Sequence, residues 1–306
     1  MYVSEHDRQM KRQGHQAHAP PWWDFFHFQL FCLLIDDADG SIFGAIYELK
    51  SFACNFTCSF QKAPKYVIAF RGTIRKRESI LRDVKLDILC LCNKLQQSSR
   101  FQVAMQALQH ILHLAGASNI WLTGHSLGSA IALLGGKNMT KLGYPIETYL
   151  FNPPFFSAPL EKMKSEKLKH GIHFTSSVVK AGLAVAVKGR HQKPQQDDTF
   201  VALSSWFPYL FVNPKDPICS EYIGYFQHRK KMEERGAGHI ERLATQNSVG
   251  SLLLGALGMD SEPLHLIPSA HLTVNLNEPS NFKQAHGIHQ WWNSNFKFEY
   301  NVHQFM

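Results

Sequence analysis

The chain has 306 residues, 44% of them hydrophobic and 18% charged, a composition that excludes disordered and fibrous classes and fits a globular protein with a sizeable core. The formal net charge is +8, but the basic residues are scattered and form no long Lys/Arg block, so a solvated basic surface is expected and no nucleic-acid partner. The six cysteines have neither disulfide-scaffold density nor zinc-ligand spacing, and no metal or cofactor is expected.

Residues 1–20 read as a polar, His-rich arm, and the stretch MYVSEHDRQMKRQGHQ carries no signal-peptide core. No apolar run reaches the roughly 18–20 residues of a membrane span. A cytoplasmic protein with reduced thiols is expected, and its abrupt start suggests a preceding segment. PPWWDFFHFQLFCLLIDD (20–37) is dense in aromatic residues and is expected to be a helix packed on the core. SIFGAIYEL (41–49) alternates like a strand, FACNFTCSFQKAP resembles a hairpin turn, and KYVIAFRGT (65–73) reads as a buried strand. SRFQVAMQALQHILHLAG (99–116) places Val103, Ala107, Ile111 and Leu114 at helical spacing, with Gly116 as its stop.

Further strands are expected at NIWLTG (119–124), IETYLFNPP (146–154), WFPYLFVNPKDP (206–217) and, last, HLTVNLN (271–277). A helix over SLGSAIALLGGKNMTKLG follows the first of these, and residues 158–204 form a Lys-rich, partly helical excursion. Alternation of strand and helix from residue 65 onward predicts a single α/β domain with a mainly parallel sheet and helices on both faces.

The stretch WLTGHSLGSA raises the chemical question. Gly124-His125-Ser126-Leu127-Gly128 matches G-x-S-x-G, a short pattern that gains weight from standing between a predicted strand and a predicted helix. Ser126 is either a nucleophile on a sharp turn or an ordinary cap of the helix that follows. A serine hydroxyl needs a base, and the base needs an acid to orient it, in the chain order Ser, Asp or Glu, His.

Asp216 suits the acid, since it lies in a turn just past an apolar strand; Asp197 and Asp198 sit in a polar stretch, and Asp260 and Glu262 follow no such strand. For the base, His265 precedes the last predicted strand and His271 begins it, which leaves His286 and His289 in NFKQAHGIHQWW. An oxyanion would be met by the backbone N–H of Leu127 and by Thr73 at the end of VIAFRGT.

With these residues assembled, the chain resembles the class 3 (fungal-type) lipases of the α/β-hydrolase fold, and more closely a plant branch often labelled GDSL esterase/lipase, although no GDSL tetrapeptide occurs. The resemblance is clearest over YVIAFRGT, WLTGHSLGSAIALLGG, YLFNPP, FVNPKDP and AHGIHQWW. It implies Ser126 as nucleophile, Asp216 as acid, Thr73 as oxyanion donor and, through the AH ahead of aromatic residues, His286 as base. LFNPP departs from the Gly-Ser-Pro turn of many lipases.

Family members often carry a lid just after the oxyanion strand. Here that segment is 74–95, with Arg75, Lys76 and Arg77 leading into Ile80, Leu81, Val84, Ile88, Leu89 and Leu91 at amphipathic spacing, which suits a packed surface helix equally well. The expected activity is hydrolysis of a lipid or other acyl ester, with peripheral contact to a membrane or lipid droplet. The alternatives are a non-catalytic partner-binding or signalling protein and an acyltransferase.

Overall fold

The computed structural model describes residues 22–50, 63–72, 95–155, 202–234, 267–292 and 295–305. The polar arm at 1–20, most of the turn region after residue 50, Thr73, the segment 74–94, nearly all of the excursion at 158–204, and Asp197, Asp198, Asp260, Glu262 and His265 lie outside the described residues.

Eight strands form one sheet in linear chain order: β1 (Phe28–Ile35), β2 (Ile42–Leu49), β3 (Tyr66–Phe70), β4 (Ile120–His125), β5 (Glu147–Phe151), β6 (Tyr209–Val212), β7 (Ala270–Asn275) and β8 (Phe298–His303). β3 through β7 are parallel, and β1, β2 and β8 add antiparallel edges. The mainly parallel α/β sheet expected from the alternation is present.

Two readings of the chain change. Among the described residues, the aromatic run at 20–37 is helical only over α1 (Trp22–Phe25) and continues as β1, mostly exposed along its length. Its apolar residues are contiguous and lack a 3.6-residue stripe, so a helix would have no single face to bury, and the segment instead pairs with β2 along its length. β7 is not the last strand, because β8 pairs with it from Ala270↔His303 to Asn275↔Phe298. FEYNVH alternates Phe298, Tyr300 and Val302 on one face, a short period-2 signal at an exposed edge.

Helix α2 (Ser99–Ala115) begins at a Ser98 side chain that accepts from the Phe101 N–H and stops at Gly116, φ 77°. Its buried residues are Phe101, Ala104, Leu108 and Ile111; of the expected face, Ile111 is fully buried, Val103 and Ala107 are half-buried against the core and Leu114 is exposed, so the stripe is centred to one side of it. Helix α3 (Leu127–Lys141) is buried nearly throughout, and its run of Gly, Ala and Ser lets it lie close on the sheet. Together α2 and α3 belong to the core with Ile120, Leu122, Leu150, Leu210 and Leu272.

The opposite face of the parallel strands carries aromatic stacks across neighbouring strands. Tyr149, Tyr209 and His271 stack in one row, at 4.7 and 4.4 Å between ring centroids. One rung closer to the strand ends, Phe151 stacks on Phe211 at 4.5 Å, and Trp291 meets Phe211 edge-on at 5.5 Å.

The β1–β2 hairpin is tied to α2 by buried Asp36, which accepts from Arg100 Nε at 2.6 Å and from the Ser99 hydroxyl. Asp36→Ala leaves both donors without their acceptor, and the unfolding free energy in urea is expected to drop by about 1.5–3 kcal/mol. An unchanged denaturation curve would mean that strand pairing alone holds the hairpin.

Candidate active site

Ser126 stands where β4 turns into α3. Its φ of 55° and ψ of −124° lie where L-residues are strained, by about 1–3 kcal/mol, and its side chain makes no capping hydrogen bond to α3. A capping serine has extended backbone and accepts from the first turn; Ser126 does neither.

The turn is this sharp because two glycines remove the atoms that would block it. A Cβ on Gly124 would fall 2.3 Å from the Gly128 backbone, and one on Gly128 would fall 2.3 Å from the Phe70 carbonyl oxygen. The end of β3 is thereby pressed against the start of α3, and the site of a Cβ on Gly72 is 3.3 Å from Ser126 Cβ. Thr73 follows in the chain. Leu127 opens α3, in the turn whose N–H groups have no intrahelical acceptor.

Asp216 lies in the turn after β6, fully buried. His286 ends the short helix α4 (Phe282–His286) between β7 and β8, capped at its start by Asn281. His286 Nδ1 donates to Asp216 Oδ2 at 2.8 Å. In the neutral ring this leaves the lone pair on Nε2. His289 does not share this bond; its ring lies over Gly287, 2.3 Å from where a Cβ would stand. His271 sits within β7, hydrogen-bonded to the Tyr300 hydroxyl.

Burial alone would raise the Asp216 pKa. It is nevertheless held below the usual carboxylate range, by the bonds from His286, from Asn152 Nδ2 at 2.7 Å and from the Ile218 N–H at 3.0 Å. The Cys219 thiol donates to the same carboxylate at 3.1 Å; burial and the neighbouring negative charge push its own pKa well up, so it keeps its proton.

His125, beside Ser126, donates from Nε2 to the His286 carbonyl at 2.6 Å, and the two ring centroids are 4.9 Å apart. This bond holds the His286 segment against the end of β4. Burial, reinforced by the positive field of His286, pushes the His125 pKa down to about 3.

Sequence reasoning missed His125, Cys219, Asn152, Asn213, Asn275 and Gln290. The three asparagines are nearly fully buried and stand at the C-terminal ends of β5, β6 and β7. The signal was present in three strands that each run out in an apolar residue followed by Asn: LFN, FVN and TVN. Among the described residues, no group of three or more His, Cys, Asp or Glu could hold a metal ion, and no helix is long and apolar enough to cross a membrane.

The family model for class 3 lipases matches residues 67–157, which span β3, the elbow and Asn152. An Arabidopsis thaliana protein named GDSL esterase/lipase is 50% identical over the whole of this chain and 89% of its own length. The chain belongs to the class 3 lipase family. As a member of that family it is an α/β-hydrolase and a carboxylic ester hydrolase. The matched segment of this lipase-family chain ends before Asp216 and His286, which reach the elbow through the fold.

The depressed His125 pKa makes stability depend on pH. An exposed histidine titrates near about 6.5. Between that value and about 3 the unfolded chain takes up a proton at His125 that the folded chain does not. The stability is therefore full above the unfolded value and is lost as pH falls. His303, pushed down to about 4 by burial and by Arg229 and Lys230, acts in the same direction. Urea unfolding between pH 7 and 5 is expected to show stability falling by up to about 1.4 kcal/mol per pH unit for His125, by less for the partly exposed and solvent-screened His303, and less steeply in His125→Gln. Equal slopes would mean that His125 protonates freely in the folded chain.

Proposed function

We propose that this chain hydrolyses lipid acyl esters through Ser126, His286 and Asp216 by way of an acyl-enzyme. The reading rests above all on one observation: a buried, ionised Asp216 accepts from His286 Nδ1, and the His286 carbonyl accepts from His125, the residue just before a serine held in a strained turn. His286 Nε2 takes the Ser126 hydroxyl proton as Oγ forms a bond to the ester carbonyl carbon. The carbonyl electron pair moves onto oxygen, where the Leu127 N–H and Thr73 stabilise it. Collapse of this adduct breaks the bond to the alcohol, which leaves with the proton from His286. Water then attacks the acyl-serine, gives its proton to His286, and the acid departs as Ser126 recovers its own.

Asp216 keeps the imidazole in the tautomer that has Nε2 free and stabilises the cation formed in each step. No metal or cofactor enters. The substrate is met from the cytoplasmic side, at a membrane or lipid-droplet surface.

Fluorophosphonate labelling followed by ester turnover tests these roles. Ser126→Ala is expected to abolish labelling, and Asp216→Asn to slow turnover by about 10,000-fold, because an amide at 216 favours the wrong imidazole tautomer. His286→Gln should be equally inactive while His289→Gln keeps most of the rate. Full turnover by folded Ser126→Ala, or a loss confined to His289→Gln, would overturn the assignment.

A further inference from the structure

We infer that Asn152 and Gln290 are positioning residues, a polar latch that fixes His286 against Asp216 and sets its alignment with Ser126. The inference rests on the roles just proposed for those three residues. Asn152 follows β5 in the LFNPP stretch, is fully buried, and has φ 48°. With His27 and Ser126 it is one of three non-glycine residues of positive φ among the described residues. The positive φ aims its amide across the strand ends instead of back along β5.

Every atom of that amide is engaged. Nδ2 donates to Asp216 Oδ2 at 2.7 Å and to the Ala285 carbonyl at 3.1 Å. Oδ1 accepts from the Trp291 indole N–H at 2.8 Å and from Gln290 Nε2 at 3.4 Å. The orientation has no alternative, because a carboxylate and a carbonyl demand the NH2 side and an indole N–H demands the oxygen. One side chain therefore grips the acid, the residue just before the base, and the turn just after it.

Gln290 completes the grip. Its Oε1 accepts from Asn213 at 2.7 Å, just past β6, and from Asn275 at 2.9 Å, the last residue of β7. Its Nε2 donates to the carbonyls of Ala285 at 2.6 Å and Gly287 at 3.1 Å, on either side of His286. The segment carrying the base is thus pinned to the ends of three adjacent parallel strands. α4 has only five residues, too few to hold His286 by its own helical bonds.

The latch also shapes the electrostatics. The titratable and charged groups around His286 are Asp216 and Cys219 on the β6 turn, His125 on β4, and Lys283 and His289 on its own segment. The Asn152 donor spreads the Asp216 charge over a second bond. Without it, the carboxylate pulls harder on Nδ1–H; with an aspartate at 152, a second negative charge faces the pair.

The test compares wild type with Asn152→Gly, which keeps the positive φ, Asn152→Asp, which keeps the shape, and Gln290→Met, which keeps the length. Fluorophosphonate labelling rates are measured from pH 5 to 9, with kcat and KM on a short-chain ester. The downfield proton signal of His286 Nδ1–H, assigned by its loss in His286→Gln, is recorded in parallel. Labelling is expected to slow by about 10- to 100-fold in Asn152→Gly and Gln290→Met, through kcat and not KM. Asn152→Asp should be slower still, with the acid limb of its profile moved to higher pH, and the proton signal should shift in all three.

Wild-type rates, an unmoved acid limb and an unmoved proton signal would overturn the latch. Slowing that vanishes at 10 °C with the signal in place would overturn it too, as mere loss of stability. A wild type that never labels, with a signal that still moves in the variants, would sink the hydrolase reading and leave the latch standing.

Discussion

The structure turns on a steric constraint. Gly124 and Gly128 bring β4, α3 and the end of β3 closer than any side chain would allow, within 2.3 Å of where a Cβ would stand. Ser126, lying between them, has no relaxed conformation available and takes φ 55°. Strain of this size, about 1–3 kcal/mol, survives only where the surroundings over-determine the backbone. Here they do: α3 is buried along nearly its whole length, and the Ser126 N–H is tied to the Phe151 carbonyl at 3.0 Å. The same closeness brings Gly72, and with it the strand that leads into Thr73, against the serine. The backbone of the elbow and the course of β3 beside it thus follow from one packing event.

A second constraint is electrostatic. A carboxylate with no exposed surface keeps its charge only when donors replace the lost water. Asp216 has four, and each is specified by its own environment: a histidine ring, an amide locked by an indole, a thiol that burial keeps protonated, and a backbone N–H. Polar networks of this kind are rigid when fully satisfied and costly when one member is missing. His125 follows the same rule from the other side, since a ring buried beside His286 is accommodated only in its neutral form, and its one N–H donor then goes to the His286 carbonyl.

What was legible in the chain was whatever is local. The elbow, strands β2 to β7 and the extents of α2 and α3 follow from short-range patterns: glycine spacing, alternation, and apolar residues three and four apart. β1 escaped because a run of contiguous aromatic residues has no period, and only pairing with β2 identifies it as a strand. β8 escaped because it is an exposed edge six residues long, defined by its neighbour β7. The stripe of α2 was placed slightly to one side: Phe101, Ala104 and Leu108, three and four residues apart and in line with Ile111, are its buried centre, while Leu114 is exposed. Asp216 and the pair of histidines were reachable through chain order. The choice between His286 and His289 was not local, and it came from the family resemblance.

The buried asparagines are the instructive omission. Asn is usually a turn residue, and after LF, FV or TV it reads as the punctuation of a strand. At the C-terminal ends of parallel strands, however, the last residue points into the crevice where loops converge, and three successive strands place Asn152, Asn213 and Asn275 side by side there. A protein that used this fold only to bind a partner would have little use for a strained serine, an ionised and fully buried aspartate, and a glutamine spanning three strand ends. Apolar residues of similar volume would fill the same space without the desolvation cost of the carboxylate. Under the proposed mechanism that cost has a use, because proton transfer at a single hydroxyl depends on the direction of one imidazole.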